Sequence, residues 1–377
     1  MLRILEDFCN AGKLSSGHAV LVGTGDRDHG GRVQQLLATQ PASPPATKQL
    51  PALGANINET SVSGISSGAY MAGQFEMAHA KLVVGAAIIA GGPYGCSESV
   101  FADSMPGPGT AFLNLGKAIN GCMLDLLSAW GVGDPQNLAD KAKDRATKGE
   151  IDPIADVVKD RVYLFSGTSD RTVVPTIVKR AAEFYRKLGV PESNILLVDN
   201  LAAGHAFVTE SEGGACDRSD EPYVVDCDYD QAGALLKHIY GPLQPASTTP
   251  SGQFMEFDQR AFRDGTTSDG LAATGIVYVP ATCAREQGCR IHIAFHGCAQ
   301  NRHAVGDKFI KGSGFARWAD TNKLIILFPD VATTVANPQG CWDWWGYTGN
   351  DYLTRSAPQI VAVRSMLDAL ANGRPQS

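Results

Sequence analysis

No stretch of this 377-residue chain approaches the roughly 20 consecutive apolar residues that a membrane-spanning helix needs. The longest apolar run, near Leu82 to Ala90, is short and bounded by glycine, so a buried strand accounts for it. Basic runs are missing as well. The 32 Lys and Arg are set against 39 Asp and Glu, and the formal net charge of −7 is spread without a cluster of one sign. That distribution argues against nucleic acid or an anionic membrane as the main partner and favours an uncharged substrate. There is no internal repeat, and the N-terminus, MLRILEDFCNAGKLSSGHAVLVGTG, has an early acidic pair and no sustained apolar core of the kind a signal peptide carries. With 44% hydrophobic and 19% charged residues, wholesale disorder and coiled coil are excluded too.

Cysteine, by contrast, is plentiful: Cys9, Cys96, Cys122, Cys216, Cys227, Cys283, Cys289, Cys298 and Cys341. Several stand in polar loops such as GGACDRSDEPYVVDCDYD, where a loop-closing disulfide is more at home than a buried thiol. The cysteines therefore point to a secreted or periplasmic protein, against a start that carries no clear export signal and leaves an intracellular location open.

Residues 1–49, which run into QPASPPATKQLP, read as a flexible or misassigned lead-in, leaving 50–377 as a single domain. From Thr60 the chain reads strand, sharp turn, helix, in TSVSGISSGAYMAGQFEMAHA, and further strands are expected at VVGAAIIAGG, RVYLFS and ILLVDN. A helix from Ile177 to Leu188 and the helix QAGALLKHIYG alternate with them, the signature of a mostly parallel sheet with helices on both faces. After a linker-like stretch near 242–252, ATGIVYVP, RIHIAFHG and KLIILFPD supply strands for the missing edge of that sheet, with helices at Phe315 to Asn322 and Ala357 to Ala371. Between the second strand and Asp170, residues 98–155 hold a helical insertion from Ala111 to Ala146.

Gly64-Ile65-Ser66-Ser67-Gly68 matches G-x-S-x-G between a strand and a helix, a context in which the serine is projected from a strained turn that only flanking glycines permit. The same pattern also describes an ordinary Gly/Ser turn, so partners are required. A serine hydroxyl needs a base and an orienting carboxylate, which in a hydrolase of this type follow in the order Ser, Asp, His, each just after a strand. Asp170 follows RVYLFS in GTSDRTVVP, and His205 follows ILLVDN in AAGHAF. The other histidines fall elsewhere: His18 and His29 in the lead-in, His79 and His238 in helices, His292 within a strand and His303 in a polar segment. An oxyanion hole would take the amide of Ser67 and one from a loop that normally precedes the nucleophile. No such loop stands upstream; downstream, RIHIAF runs into His296-Gly297-Cys298, with His296 shaping the loop and the Cys298 amide as donor. Moving the second half ahead of residue 55 restores the usual order of parts. The chain is thus read as a circularly permuted α/β-hydrolase, with the permutation junction near 242–252.

Assembled, ETSVSGISSGAYMA, AGGPYGC, SGTSDRTVVP, GHAF, CDYDQAGALLKHIYG, FHGCAQ, FARWADTNKLIILFP and NPQGCWDWWGY closely resemble the single-domain poly(3-hydroxybutyrate) depolymerases, over about Leu50 to Leu370. The resemblance implies Ser66, Asp170 and His205 as triad, and the Ser67 and Cys298 amides as oxyanion donors. It also implies disulfides Cys96–Cys122, Cys216–Cys227, Cys283–Cys289 and Cys298–Cys341, with Cys9 left over. It calls for no metal and no organic cofactor. Trp342, Trp344 and Trp345 are expected to flank the cleft and touch aliphatic ester units. The expected substrate is the polyester or its hydroxybutyrate oligomers, cut by a monomeric enzyme. Two other readings stay open: a feruloyl or acetyl-xylan esterase, and a catalytically silent binding protein.

Overall fold

A computed structural model describes residues 48–99, 108–263, 265 and 269–373. The expected lead-in lies outside the described residues except for Lys48 and Gln49, and so do Cys9, His18 and His29. From its first described residues the chain is already tied down: Asp258 N–H donates to Lys48 O, Leu50 and Leu53 are buried, and the amides of Leu53 and Ala55 donate to Leu370 O.

Strand β1 (Asn56–Ile65) leads into helix α1 (Ser67–Ala78) and then β2 (Val83–Ile89). The insertion follows with α2 (Pro108–Cys122) and α3 (Pro135–Lys148), then β3 (Arg161–Phe165), α4 (Pro175–Leu188) and β4 (Ile195–Val198). After α5 (Gln231–Tyr240) come β5 (Gln253–Asp258), β6 (Thr274–Val279), β7 (Arg290–Phe295), α6 (Phe315–Thr321), β8 (Leu324–Phe328) and α7 (Pro358–Ala371). The eight strands form one sheet in the order β4-β3-β2-β1-β7-β8-β6-β5. All neighbours from β4 to β8 pair parallel, and β6 and β5 close the far edge antiparallel. The first strand in sequence therefore lies in the middle of the sheet, with Gly64 opposite Phe295 of β7. The three second-half strands complete the sheet beyond β1 as expected, and one further strand, β5, whose polar QFMEFD gives little strand signal, is added outside them. The insertion, expected as one helical stretch, is two helices separated by a 3₁₀ turn at Ser128–Trp130: after Cys122 the backbone turns to positive φ at Asp125, and again at Gly131 and Gly133 before the second helix starts at Pro135.

Both faces are covered, and whereas β1 at the centre buries Thr60, Ser61 and Ser63 among its apolar residues, β2, β3 and β8 read as nearly unbroken apolar runs. Their side chains still alternate: Ala86 and Ile88, Val162 and Leu164 pack with α1, α4 and α7, while Ala87 and Ile89, Tyr163 and Phe165 face α5 and α6. Helix α1, buried along its whole length, is apolar nearly all round. Helix α4 carries its own signals, with Pro175 at its first turn, Gly189 in the left-handed conformation at its end, and a buried stripe including Ile177, Ala181, Phe184 and Leu188.

An acidic pair interrupts this core. Glu76 of α1 and Asp160, just before β3, are buried together, and Tyr185 donates to Glu76 Oε2 at 2.5 Å. Burial raises both carboxyls above their usual range, and the neighbouring Glu76 raises Asp160 further. The folded state thus keeps protons that the unfolded chain releases above about pH 4, so stability falls as pH rises towards the raised pKa values. Glu76→Gln keeps an acceptor for Tyr185 and removes one titrating group. Its melting temperature is expected to fall less than the wild type's between about pH 5 and pH 9. Parallel curves from thermal melts would contradict this account of the pair.

Candidate active site

Ser66 sits at the junction of β1 and α1 with φ 57 and ψ −122, a strained backbone for a residue bearing a side chain. Its N–H donates to Ile89 O at 2.9 Å, and its hydroxyl makes no cap bond to the helix. The flanking glycines are sterically required. A Cβ on Gly64 would lie 2.0 Å from Gly68 O, and one on Gly68 would lie 2.4 Å from His296 O. Ser67 is buried, and its hydroxyl accepts the Trp342 N–H at 3.3 Å. As the first residue of α1, its own N–H has no partner within the helix and points with the positive end of the helix dipole.

Asp170 and His205 follow β3 and β4 at the same carboxyl edge of the sheet. Both are buried, and His205 Nδ1 lies 2.8 Å from Asp170 Oδ2. The other carboxyl oxygen, Oδ1, accepts the amides of Thr172 at 2.8 Å and Val173 at 3.0 Å, which fixes the carboxyl plane. With Nδ1–H directed at the carboxylate, Nε2 is the acceptor, as a general base requires. The remaining described histidines do other things. His292 is wedged between Ser61 Oγ and Ser63 Oγ, its pKa lowered to about 3 by burial, and His79 is likewise lowered to about 4, chiefly by burial.

β7 delivers the His296-Gly297-Cys298 loop to Ser66: a Cβ on Gly297 would lie 3.4 Å from Ser66 Cβ. His296 is buried, paired with Gly297 O through Nδ1 at 2.8 Å and accepting the Val331 N–H at Nε2 at 3.2 Å. The loop amides on either side are occupied, Gly297 N–H by Gln300 Oε1 at 2.8 Å and Ala299 N–H by Gln339 O at 2.6 Å. The Cys298 amide between them makes no such bond among the described residues. The Cys298–Cys341 disulfide holds this loop, and three others are present: Cys96–Cys122, Cys216–Cys227 and Cys283–Cys289.

Of the three tryptophans, Trp342 departs from expectation. Trp342 is 0% exposed, packed edge-on to Phe295 with ring centres 4.9 Å apart, so substrate contact through its ring is withdrawn. Trp344 and Trp345 retain only 5% and 7%, Trp344 stacked on Tyr70 at 4.0 Å. The cause is the next acidic residue: buried Asp343 accepts the amides of Trp345, Gly346, Tyr347 and Thr348 and curls the segment inward. Among the described residues, four of the large exposed apolar side chains lie on the insertion, Phe112 at 75% and Trp130 at 77% together with Leu113 and Leu126, while Leu196, Phe254 and Val335 stand elsewhere. That insertion is moored to the site. Tyr70 OH donates to Cys122 O at 2.5 Å, Val174 N–H to Met123 O at 2.9 Å, and Asn114 Nδ2 to Trp345 O at 3.0 Å. Sequence reading also passed over Gln300 and Ser219, which contact the loops of Gly297 and His205.

No family model matches the chain. Among curated proteins, a poly(3-hydroxybutyrate) depolymerase of Delftia acidovorans is 38% identical over 333 residues, covering 87% of this chain and 63% of that protein's length. A polyhydroxybutyrate depolymerase of Talaromyces funiculosus is 32% identical over 362 residues, covering 91% of this chain and 98% of its own. Among solved structures, the PHB depolymerase of Penicillium funiculosum has a TM-score of 0.74 at 31% identity, with 87% of this chain and all of that one covered. A serine-to-alanine PHB depolymerase complexed with an R3HB trimer matches with the same TM-score, identity and coverage.

Proposed function

Since the chain belongs to the poly(3-hydroxybutyrate) depolymerase family, we propose that it is a serine esterase that hydrolyses poly(3-hydroxybutyrate) or its oligomers through a hydroxyacyl-enzyme on Ser66. Ser66 Oγ attacks the ester carbonyl while His205 Nε2 takes its proton. The oxyanion that forms is held by the Ser67 and Cys298 amides, next to the N-terminus of α1. His205 returns the proton to the departing alcohol oxygen, then takes one from a water that attacks the acyl carbon. The hydroxyacid leaves, and Ser66 recovers its hydrogen. Asp170 holds the imidazole tautomer throughout. The observation that carries this reading is the 2.8 Å Asp170–His205 contact at the sheet edge where Ser66 emerges from its strained turn. The rival carbohydrate esterase separates in one assay. Release of short 3-hydroxyacids from 3-hydroxybutyrate oligomers, with little turnover of feruloyl or acetyl sugar esters, is expected, and the opposite pattern overturns the substrate assignment while sparing the triad. Four disulfides support an oxidising destination, secreted or periplasmic, and the catalytic unit is taken as a monomer, checked by light scattering.

An insoluble polymer must also be met as a surface. Phe112, Leu113, Leu126 and Trp130, exposed on the insertion, are the apolar side chains assigned to that contact. Phe112→Ser combined with Trp130→Ser is therefore expected to slow hydrolysis of polymer films severalfold while leaving kcat on a soluble p-nitrophenyl ester unchanged. Equal loss on both substrates would assign these residues to the fold.

A further inference from the structure

Gln300 is buried, and its side-chain amide joins two loops that the main sheet does not join. Oε1 accepts the Gly297 N–H at 2.8 Å, and Nε2 donates to Pro222 O at 3.1 Å and Tyr223 O at 3.0 Å. Gly297 belongs to the oxyanion loop, whereas Pro222 and Tyr223 belong to the loop closed by Cys216–Cys227. The same disulfide loop also reaches the general base. Ser219 Oγ accepts the His205 N–H at 2.7 Å, and Cys216 O accepts the Gly204 N–H at 2.8 Å. A Cβ on Gly204 would lie 2.2 Å from Arg218 O, so the loop rests directly on the backbone next to His205.

In the sheet, β7 and β4 are separated by β1, β2 and β3. No direct strand pairing links the loops that follow them, yet transfer through a tetrahedral intermediate needs base and oxyanion donors placed to within fractions of an ångström. We propose that the 216–227 loop is a positioning clamp for catalysis, gripping His205 through Ser219 and the oxyanion loop through Gln300. The clamp rests on the assignment of Ser66, His205 and Cys298 made above. Neither Ser219 nor Gln300 touches a reacting atom; they act through the groups they hold.

Gln300→Glu keeps an acceptor for Gly297 but loses both donors and sets a carboxyl against two carbonyl oxygens. Ser219→Ala removes the acceptor for His205 N–H, and Ser219→Thr restores it. For the full chain acting on p-nitrophenyl butyrate, with active sites titrated by a phosphonate, kcat per site is expected to fall about 10- to 100-fold in Gln300→Glu and about fivefold or more in Ser219→Ala. KM stays within about twofold, and Ser219→Thr recovers most of the rate. The pair Cys216→Ser with Cys227→Ser reproduces the kcat loss, and together with Ser219→Ala decides the matter if Gln300→Glu does not fold. Wild-type kcat per site in these variants, whatever their melting temperatures, overturns the clamp and leaves a loop that only stabilises. Ser66→Ala tells the two failures apart. If it retains turnover, the site assignment itself is wrong; if it is inactive while the clamp variants work normally, the clamp alone is wrong.

Discussion

Ser66→Ala will fold and lose at least ~1000-fold in esterase turnover. The fold survives because the Ser66 hydroxyl caps nothing: the helix it precedes is held by its buried length, and the strained turn is set by backbone and by Gly64 and Gly68. The strain itself persists in the variant, since alanine carries the same Cβ into φ 57. Only the nucleophile is lost. Ser67→Ala is the control. Its hydroxyl accepts one long bond from Trp342, while its proposed part in catalysis is played by its backbone N–H, so most activity is retained. Comparable losses in both variants, measured with a soluble ester and checked by circular dichroism, would remove Ser66 from its assigned role.

Asp170→Asn is expected to cost about 10⁴-fold in kcat with little change in KM. Asp170 Oδ1 already accepts two backbone amides, from Thr172 and Val173. An asparagine satisfies those donors only by placing its carbonyl oxygen there, which turns its NH₂ group towards His205 Nδ1. Two donors cannot share that bond, so the imidazole must present a lone pair at Nδ1 and carry its proton on Nε2. In that tautomer it cannot accept the Ser66 proton. The structural cost is small, because the amide is nearly isosteric and keeps the loop contacts. A variant within about tenfold of wild type, by steady-state kinetics on the soluble ester, would mean that Asp170 is not the residue that orients the base.

The parts of this site that could be read in the sequence are those whose signal is local. Gly64 and Gly68 flank Ser66 because backbone passes within van der Waals range of both, and that requirement is written in five consecutive letters. Asp170 and His205 are legible because each lies just past an apolar strand, and the HG loop because RIHIAF ends in it. What escaped reading depends on contacts between distant segments. The inward turn of Trp342 is set by Asp343 accepting four amides in one loop, a geometry with no compositional mark. Gln300 meets Pro222 and Tyr223 through their carbonyl oxygens, which any residue could supply. The polar cysteine-rich stretch reads as loop, yet 207–209, 214–215 and 224–226 form a small three-stranded parallel sheet. Its strands are two or three residues long, too short for period-two alternation to register. The order of the second-half strands was likewise beyond a linear reading, since β7 and β8 resemble edge and core strands equally well.

One measurement bears on the central claim without any variant. The protein is mixed with a soluble 3-hydroxybutyrate oligomer, quenched in acid within the first turnovers, digested and mapped by mass spectrometry. The expected result is a 3-hydroxybutyryl group on the peptide GISSGAY, placed by fragmentation on Ser66. Oligomer cleavage with the acyl group on Ser67 or on any other residue, or with none formed at any quench time, would contradict the account.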